Sequence, residues 1–273
     1  MNEKKTVLIT GVSSGIGLET AQLLAERGFR VFGTVRNHRP AGVIAGVEMV
    51  RMDVTDEASV KEAVQSVLQQ AGQIHALVNN AGYALAGALE ETSIGEAQQQ
   101  FDTNFFGVLR VIQAVLPTMR QQGYGRIVNM SSLAGLVPLP YRGIYAASKH
   151  ALEGYTEALD HEIRQFGVRA LLVEPSFTKT DIESRGRTTS IALGAYAKQK
   201  QRVTDTIMHQ VAQGDDPRAV AEVVYRALTA GSPRSRYPVG GGIALSRLRR
   251  FVPDRMFDKT FSKRFQLDEP VRR

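Results

Sequence analysis

Residues 6–28 read TVLITGVSSGIGLETAQLLAERG, and this stretch decides the fold. TVLIT at 6–10 is short, β-branched and apolar on both faces, the pattern of a strand buried in a parallel sheet. Residues 16–27 repeat apolar side chains at helical spacing and stop at Gly28, a helix-ending signal. Between them lies Thr10-Gly11-Val12-Ser13-Ser14-Gly15-Ile16-Gly17. Glycines let a backbone turn tightly and approach a pyrophosphate, and a helix N-terminus offers free N–H groups and a favourable dipole. Strand, glycine turn and helix in this order form the context that a dinucleotide site requires, here spaced Gly-x-x-x-Gly-x-Gly rather than Gly-x-Gly-x-x-Gly.

The same alternation runs outward along the chain. Strands are expected at 30–35, around 47–54, at 75–82, 126–132 and 168–176, with a short last strand or turn at 237–242. Helices are expected at 58–70, about 94–120, 145–166 and 217–230, the last opened by Pro217. Strands alternating with helices predict an α/β fold: a single-domain, Rossmann-type, doubly wound parallel sheet with helices on both faces. The domain is expected over 1–240, with a polar, irregular lid at about 181–213. A basic helical extension follows at 241–273.

Composition narrows the function classes. The 273 residues are 43% hydrophobic and 22% charged, the balance of a globular chain. No cysteine is present, which excludes disulfides, thiolate metal sites and a cysteine nucleophile. The five histidines show no close ligand spacing, so no metal is expected. No signal-peptide pattern and no long apolar run appears, and a cytoplasmic location is the expectation. The net charge is +7, and residues 234–273 carry eleven Lys/Arg against four Asp/Glu, so the rest is neutral. Leu245, Leu248, Phe251 and Val252 make one apolar stripe there, and Phe257, Phe261 and Phe265 a second. Two short helices packed on the body or at a subunit interface are expected. A contact with an anionic membrane surface is the alternative, and nucleic acid is not expected.

The chemistry sits at the predicted strand ends. Residues 31–38, VFGTVRNH, hold no carboxylate to accept hydrogen bonds from an adenosine ribose. Arg36 lies where a 2′-phosphate would sit, and Ser13 adds a hydroxyl, so the cofactor is expected to be NADP(H). Tyr145 and Lys149 share one helix face at i and i+4. An ammonium beside a phenol favours the phenolate and lowers its pKa, which suits proton transfer. Ser132 ends a strand thirteen residues before Tyr145 and can hydrogen-bond a carbonyl. Asn79-Asn80-Ala81-Gly82 follows another strand, and Asn104 sits in a long apolar helix where an amide needs a partner.

These motifs together resemble the short-chain dehydrogenase/reductase family, in its TGxxxGIG, NNAG, Ser and YxxxK branch, over about residues 5–240. The resemblance implies that Tyr145 is the general acid/base and that Lys149 lowers its pKa and binds the nicotinamide ribose. Ser132 would polarise the carbonyl, and Asn104 would anchor a water in a proton relay. Gly11, Ser13, Ser14, Gly15, Ile16 and Gly17 would hold the pyrophosphate, with Asn80, Ala81 and Gly82 beside them. Asp53 and Val54 match the adenine-binding pair, and Pro175, Thr178 and Thr180 fall in the segment that holds the carboxamide. Ser176 departs from that segment's usual glycine. The reaction implied is hydride transfer between NADP(H) and a carbonyl or secondary alcohol. The loop at 133–144 is apolar, so a steroid-, retinoid- or fatty-acyl-like ketone or aldehyde is expected as the small-molecule substrate, in a homodimer or homotetramer. A non-catalytic NADP-binding redox sensor is the alternative; the complete Ser132, Tyr145 and Lys149 set argues against it.

Overall fold

The computed structural model describes residues 4–36, 44–183, 185–241 and 252–267. Seven strands form one parallel sheet: β1 (Thr6–Ile9), β2 (Arg30–Val35), β3 (Val47–Arg51), β4 (Ala76–Asn79), β6 (Gly125–Met130), β7 (Val168–Pro175) and β9 (Arg236–Val239), in the order β3-β2-β1-β4-β6-β7-β9. The sheet is covered on both faces because its strands alternate their apolar side chains. On β1, Leu8 points into a core with Phe32, Ile127, Val111 and Leu152. Val7 and Ile9 point into the other, with Leu24, Val128 and Val224. Helices α2 (Glu57–Ala71), α4 (Gly107–Gln122) and α5 (Gly143–Ile163) cover the first face, and α1 (Gly15–Glu26) and α7 (Pro217–Thr229) the second. The single-domain, doubly wound Rossmann-type fold expected from the sequence is the fold observed.

The strand order reverses between β1 and β4. In a sheet of this kind ligands bind outside the carboxyl ends of the strands at that reversal. Gly11 follows β1 there with φ +73°, and a Cβ on it would stand 2.9 Å from the Ala81 backbone. A Cβ on Gly17 would meet the Gly11 carbonyl oxygen at 2.2 Å. Glycine at both positions therefore lets the turn, α1 and the β4 end close upon one another.

Two expectations are corrected. The helix expected at 94–120 is α3 (Ile94–Phe101) and α4 joined by a π-helical turn at Asp102–Phe106. The turn, DTNFF, contains no glycine or proline to break a helix, which is why the sequence hides it. The segment 181–213 is not irregular throughout: α6 (Gly194–Ala212) fills most of it, with Val203 and Ile207 fully buried. It is also tied down from outside, since Lys200 donates to both oxygens of the buried Glu91 carboxylate at 2.7 and 2.9 Å. Before it, β8 (Arg187–Thr188) pairs in parallel with β5 (Leu85–Ala86). Finally, α8 (Asp254–Phe265) follows Pro253, and its Phe265 packs with Val203 and Ile207 of α6, with Phe261 beside it. Leu245, Leu248 and Phe251 lie outside the described residues. Among the described residues no helix is long and apolar enough to cross a membrane, and no group of His, Cys, Asp and Glu could hold a metal ion.

Candidate active site

Two connected depressions open at the carboxyl edge of the sheet. The larger is a groove of about 1360 Å³ bordered by the Gly11–Gly17 turn, Arg36, Asp53, Val54 and Asn80–Gly82. Thr10 organises its floor: its Oγ1 accepts the backbone N–H groups of Asn80 and Ala81, both at 3.0 Å. The Asn80 side chain returns the bond, donating to the carbonyls of Thr10 and Gly11 at 3.1 and 2.9 Å. These bonds lock the two loops on either side of the reversal. At the start of α1, Ser14 makes no side-chain cap, whereas Asp56, Ser93 and Asp216 cap their own helices. The first N–H groups of α1 thus face the groove without a side-chain acceptor, and the turn is a cradle that suits a pyrophosphate. Asp53 turns its carboxylate to the backbone and hydroxyl of Thr55 at 2.9 and 2.7 Å, so its carboxyl serves its own turn.

The smaller depression, of about 790 Å³, adjoins the groove through Ile16, Asn80, Gly82, Tyr83 and Thr180. Its walls include Leu133, Leu139, Phe177, Ile182 and Val211, and its inner end carries Ser132, Tyr145 and Lys149. The strand end after β6 supplies Ser132, and the first and second turns of α5 supply Tyr145 and Lys149. Ser132 Oγ accepts from the Ala134 N–H at 3.1 Å, which orients the hydroxyl. Burial pushes the Tyr145 phenol up to about 12, and the nearby Ser132 hydroxyl opposes that rise. Lys149 is 6% exposed and donates to the Met130 carbonyl at 2.7 Å. Its Nζ stands 5.9 Å from the centre of the Tyr145 ring. Burial lowers its ammonium to about 8, against the pull of Glu153.

Asn104, on the π-helical turn, is 1% exposed. Its Nδ2 donates to the Tyr83 carbonyl at 2.9 Å and its Oδ1 accepts the Tyr83 N–H at 3.1 Å, so the amide clamps the loop after Gly82. A further bond of 3.4 Å reaches Ser148 beside Lys149. Pro175, Thr178 and Thr180 border the smaller depression, and Thr178 Oγ1 donates to the Ser176 carbonyl at 3.2 Å. Of the site residues expected from the sequence, all but Asn104 line one or the other depression, and Asn104 stands behind them on the Tyr83 backbone.

It also adds residues that no local pattern marked. Arg142 is 3% exposed and donates from Nε and Nη2 to Glu183 at 3.0 and 2.8 Å, fastening residue 183 to the start of α5. Arg185 and Arg187 border the groove opposite the glycine turn, and Arg187 lies over the Tyr83 ring at 4.8 Å. The partners of Arg142 and Arg187, Glu183 and Gln99, lie far away in sequence, so spacing alone carries no sign of those two.

Residues 5–190 match the family model of the short chain dehydrogenases. The chain belongs to that family. A 3-ketodihydrosphingosine reductase from Bacteroides thetaiotaomicron is 37% identical over 259 residues, covering 93% of this chain and 95% of that one. Bovine retinol dehydrogenase 8 is 35% identical over 254 residues, 85% of this chain and 80% of its own. Among solved structures, a short-chain dehydrogenase from Streptomyces avermitilis superposes with a TM-score of 0.83 at 30% identity, covering 98% and 100% of the two chains. ElxO with NADP bound gives 0.74 at 26% identity over 88% and 99% of the chains. A Burkholderia phymatum member in complex with NAD gives 0.79 at 30% identity over 92% and 95%. The short-chain dehydrogenases are oxidoreductases that use a nicotinamide cofactor, and the groove described above fits such a dinucleotide.

The buried ammonium has a consequence for stability. Unfolding returns Lys149 from about 8 to its ordinary 10.5. The charged form is disfavoured in the fold, so the cost is full below about pH 8 and fades as pH rises towards 10.5. Lys149→Met removes that cost and one hydrogen bond, and is expected to stabilise the protein by about 1–3 kcal/mol at pH 7 while abolishing turnover. Urea unfolding at pH 7 without added dinucleotide checks this; a variant no more stable than the parent contradicts it.

Proposed function

We propose that this chain is an NADP(H)-dependent reductase of apolar ketones or aldehydes, with Tyr145, Ser132 and Lys149 as its catalytic residues. One observation carries the reading: Ser132, Tyr145 and Lys149 meet at the inner end of an apolar depression that opens directly onto the dinucleotide groove. When bound, the dinucleotide supplies the hydride that adds to the substrate carbonyl carbon. The residues of the chain do the rest. Ser132, already oriented by Ala134, donates to the carbonyl oxygen and holds it beside Tyr145. Tyr145 gives its proton to that oxygen as it becomes an alcohol. The Lys149 ammonium steadies the phenolate left behind, and a solvent proton restores the phenol along the Lys149 side, where Asn104 would hold a water. Carbonyl, hydride and proton sum to the alcohol.

Arg36 supports NADP(H) over NAD(H). It borders the groove beyond the end of β2, and the stretch 31–38 carries no carboxylate of its own to repel a 2′-phosphate. The walls support an apolar substrate, and the similarity to proteins named for a ketosphingosine and for retinol agrees with a carbonyl or secondary alcohol. The proposal includes a homo-oligomer, since Ile94 at the start of α3 and Phe106 at the end of the π-helical turn leave apolar surface exposed. The inward packing of Phe265 on α6 supports a C-terminal segment seated on the body rather than on a membrane.

Tyr145→Phe keeps the ring and removes the proton. It is expected to lower kcat by about 10²–10⁴-fold with dinucleotide affinity retained. Near-native turnover of the best substrate in a panel of carbonyls, followed by NADPH absorbance, contradicts the assignment. Arg36→Ala is expected to weaken NADPH binding by about 1.5–3 kcal/mol and to leave NADH binding nearly unchanged. Fluorescence titration with both dinucleotides checks this, and equal losses refute the phosphate role.

A further inference from the structure

Beneath the catalytic face lies a cluster of buried charge that the reaction above does not use. Glu153 stands one turn beyond Lys149 on α5 and is 5% exposed, and Glu174, near the end of β7, is 3% exposed. Both carboxylates accept from the same Nη1 of Arg236 on β9. The Arg236 Nε donates to Glu157 at 2.9 Å. Three carboxylates around one guanidinium would leave an excess of negative charge in a largely dry place, and one retained proton relieves it. Burial pushes both Glu153 and Glu174 up.

The cluster also touches the strand end that carries the catalytic serine. Glu153 Oε1 and Ser131 Oγ are buried beside Gly135, near enough for Ser131 to influence the carboxyl yet without regular hydrogen-bond geometry. A Cβ on Gly135 would stand 2.7 Å from Ser131 Oγ and 3.2 Å from Glu153 Oε1, so the three residues close tightly on one another.

Resting on the reductase reading, we propose that Glu153 is a positioning residue for the active site. Its carboxyl, bridged through Arg236 to Glu174, packs beside the Ser131–Ser132 strand end one helix turn beyond Lys149, and its charge steadies the Lys149 ammonium. The titratable and charged groups facing Glu153 are Lys149 and Glu157 on its own helix, Glu174 on β7 and Arg236 on β9. Of these, Lys149 alone borders the depression with Tyr145. Ionised Glu153 favours the ammonium; a neutral side chain there lets Lys149 lose its proton at lower pH.

Glu153→Gln keeps the shape and an acceptor but cannot ionise. The test measures kcat/KM for NADPH-dependent reduction, and NADPH affinity by fluorescence, from about pH 6 to 10. The alkaline limb of the variant is expected to move down by about one pH unit, so that its loss grows to roughly tenfold on that limb. Glu153→Asp, still ionisable, is expected to return the limb towards its original position. An equal loss at every pH with the limb unmoved makes Glu153 a packing residue and overturns the proposal. Should Glu153→Gln not fold, infrared spectra of the unaltered protein decide. Glu153 must be ionised across the alkaline limb for its charge to act on Lys149, and a protonated carboxyl that persists through that limb overturns the proposal. Near-native turnover in Tyr145→Phe would refute the reductase reading instead, and the infrared result stands apart from it.

Discussion

A lysine ammonium held almost out of water is the constraint on which this site depends. Lys149 has one close acceptor, the Met130 carbonyl, and burial works against its charge. The same dryness pushes the Tyr145 phenol up. Each group would lose its catalytic form if left alone in such a place, because a low dielectric disfavours both an ammonium and a phenolate. In the proposed reaction a positive charge beside the phenol would stabilise the phenolate at the moment a proton leaves. The dry, apolar wall that strains the pair also strengthens every electrostatic contact made within it.

The fold supplies that setting through its sheet. Parallel strands covered on both faces end in loops along one edge, and the reversal between β1 and β4 opens a groove there. Thr10 and Asn80 lock the two loops flanking the reversal. The π-helical turn swings Asn104 onto the backbone of Tyr83, which closes the groove floor next to Lys149. From the other side, the Arg142–Glu183 pair fastens the segment after Thr180 across the smaller depression. Replacing one member of such a buried pair leaves a charge unpaired, so it holds position strongly even where it adds little net stability.

What the sequence shows of this molecule follows the range of each interaction. The strand–turn–helix at 6–28 is legible because every determinant is local: β-branched runs, glycines at close approaches, helical spacing. Tyr145 and Lys149 are legible for the same reason, being one helical turn apart. Helix α6 is hidden because only Val203, Ile207 and Val211 mark its inner side over nineteen residues, and Lys200 is anchored to Glu91 from 109 positions away. The π-helical turn is hidden because DTNFF reads as ordinary helix. Arg142–Glu183 and Arg236–Glu153 join residues 41 and 83 apart, so only the folded chain brings them together.

The central claim is that the empty site keeps Tyr145 a neutral phenol, ready to donate, and that charge brought by the oxidised dinucleotide is needed to draw its ionisation down. An ultraviolet difference titration between the parent protein and Tyr145→Phe, without and then with NADP, tests this directly. The account predicts no tyrosinate signal from Tyr145 until the pH nears about 12 in the empty protein, and a clear downward shift when NADP is added. A tyrosinate already formed near neutral pH in the empty protein, unmoved by NADP, would contradict it.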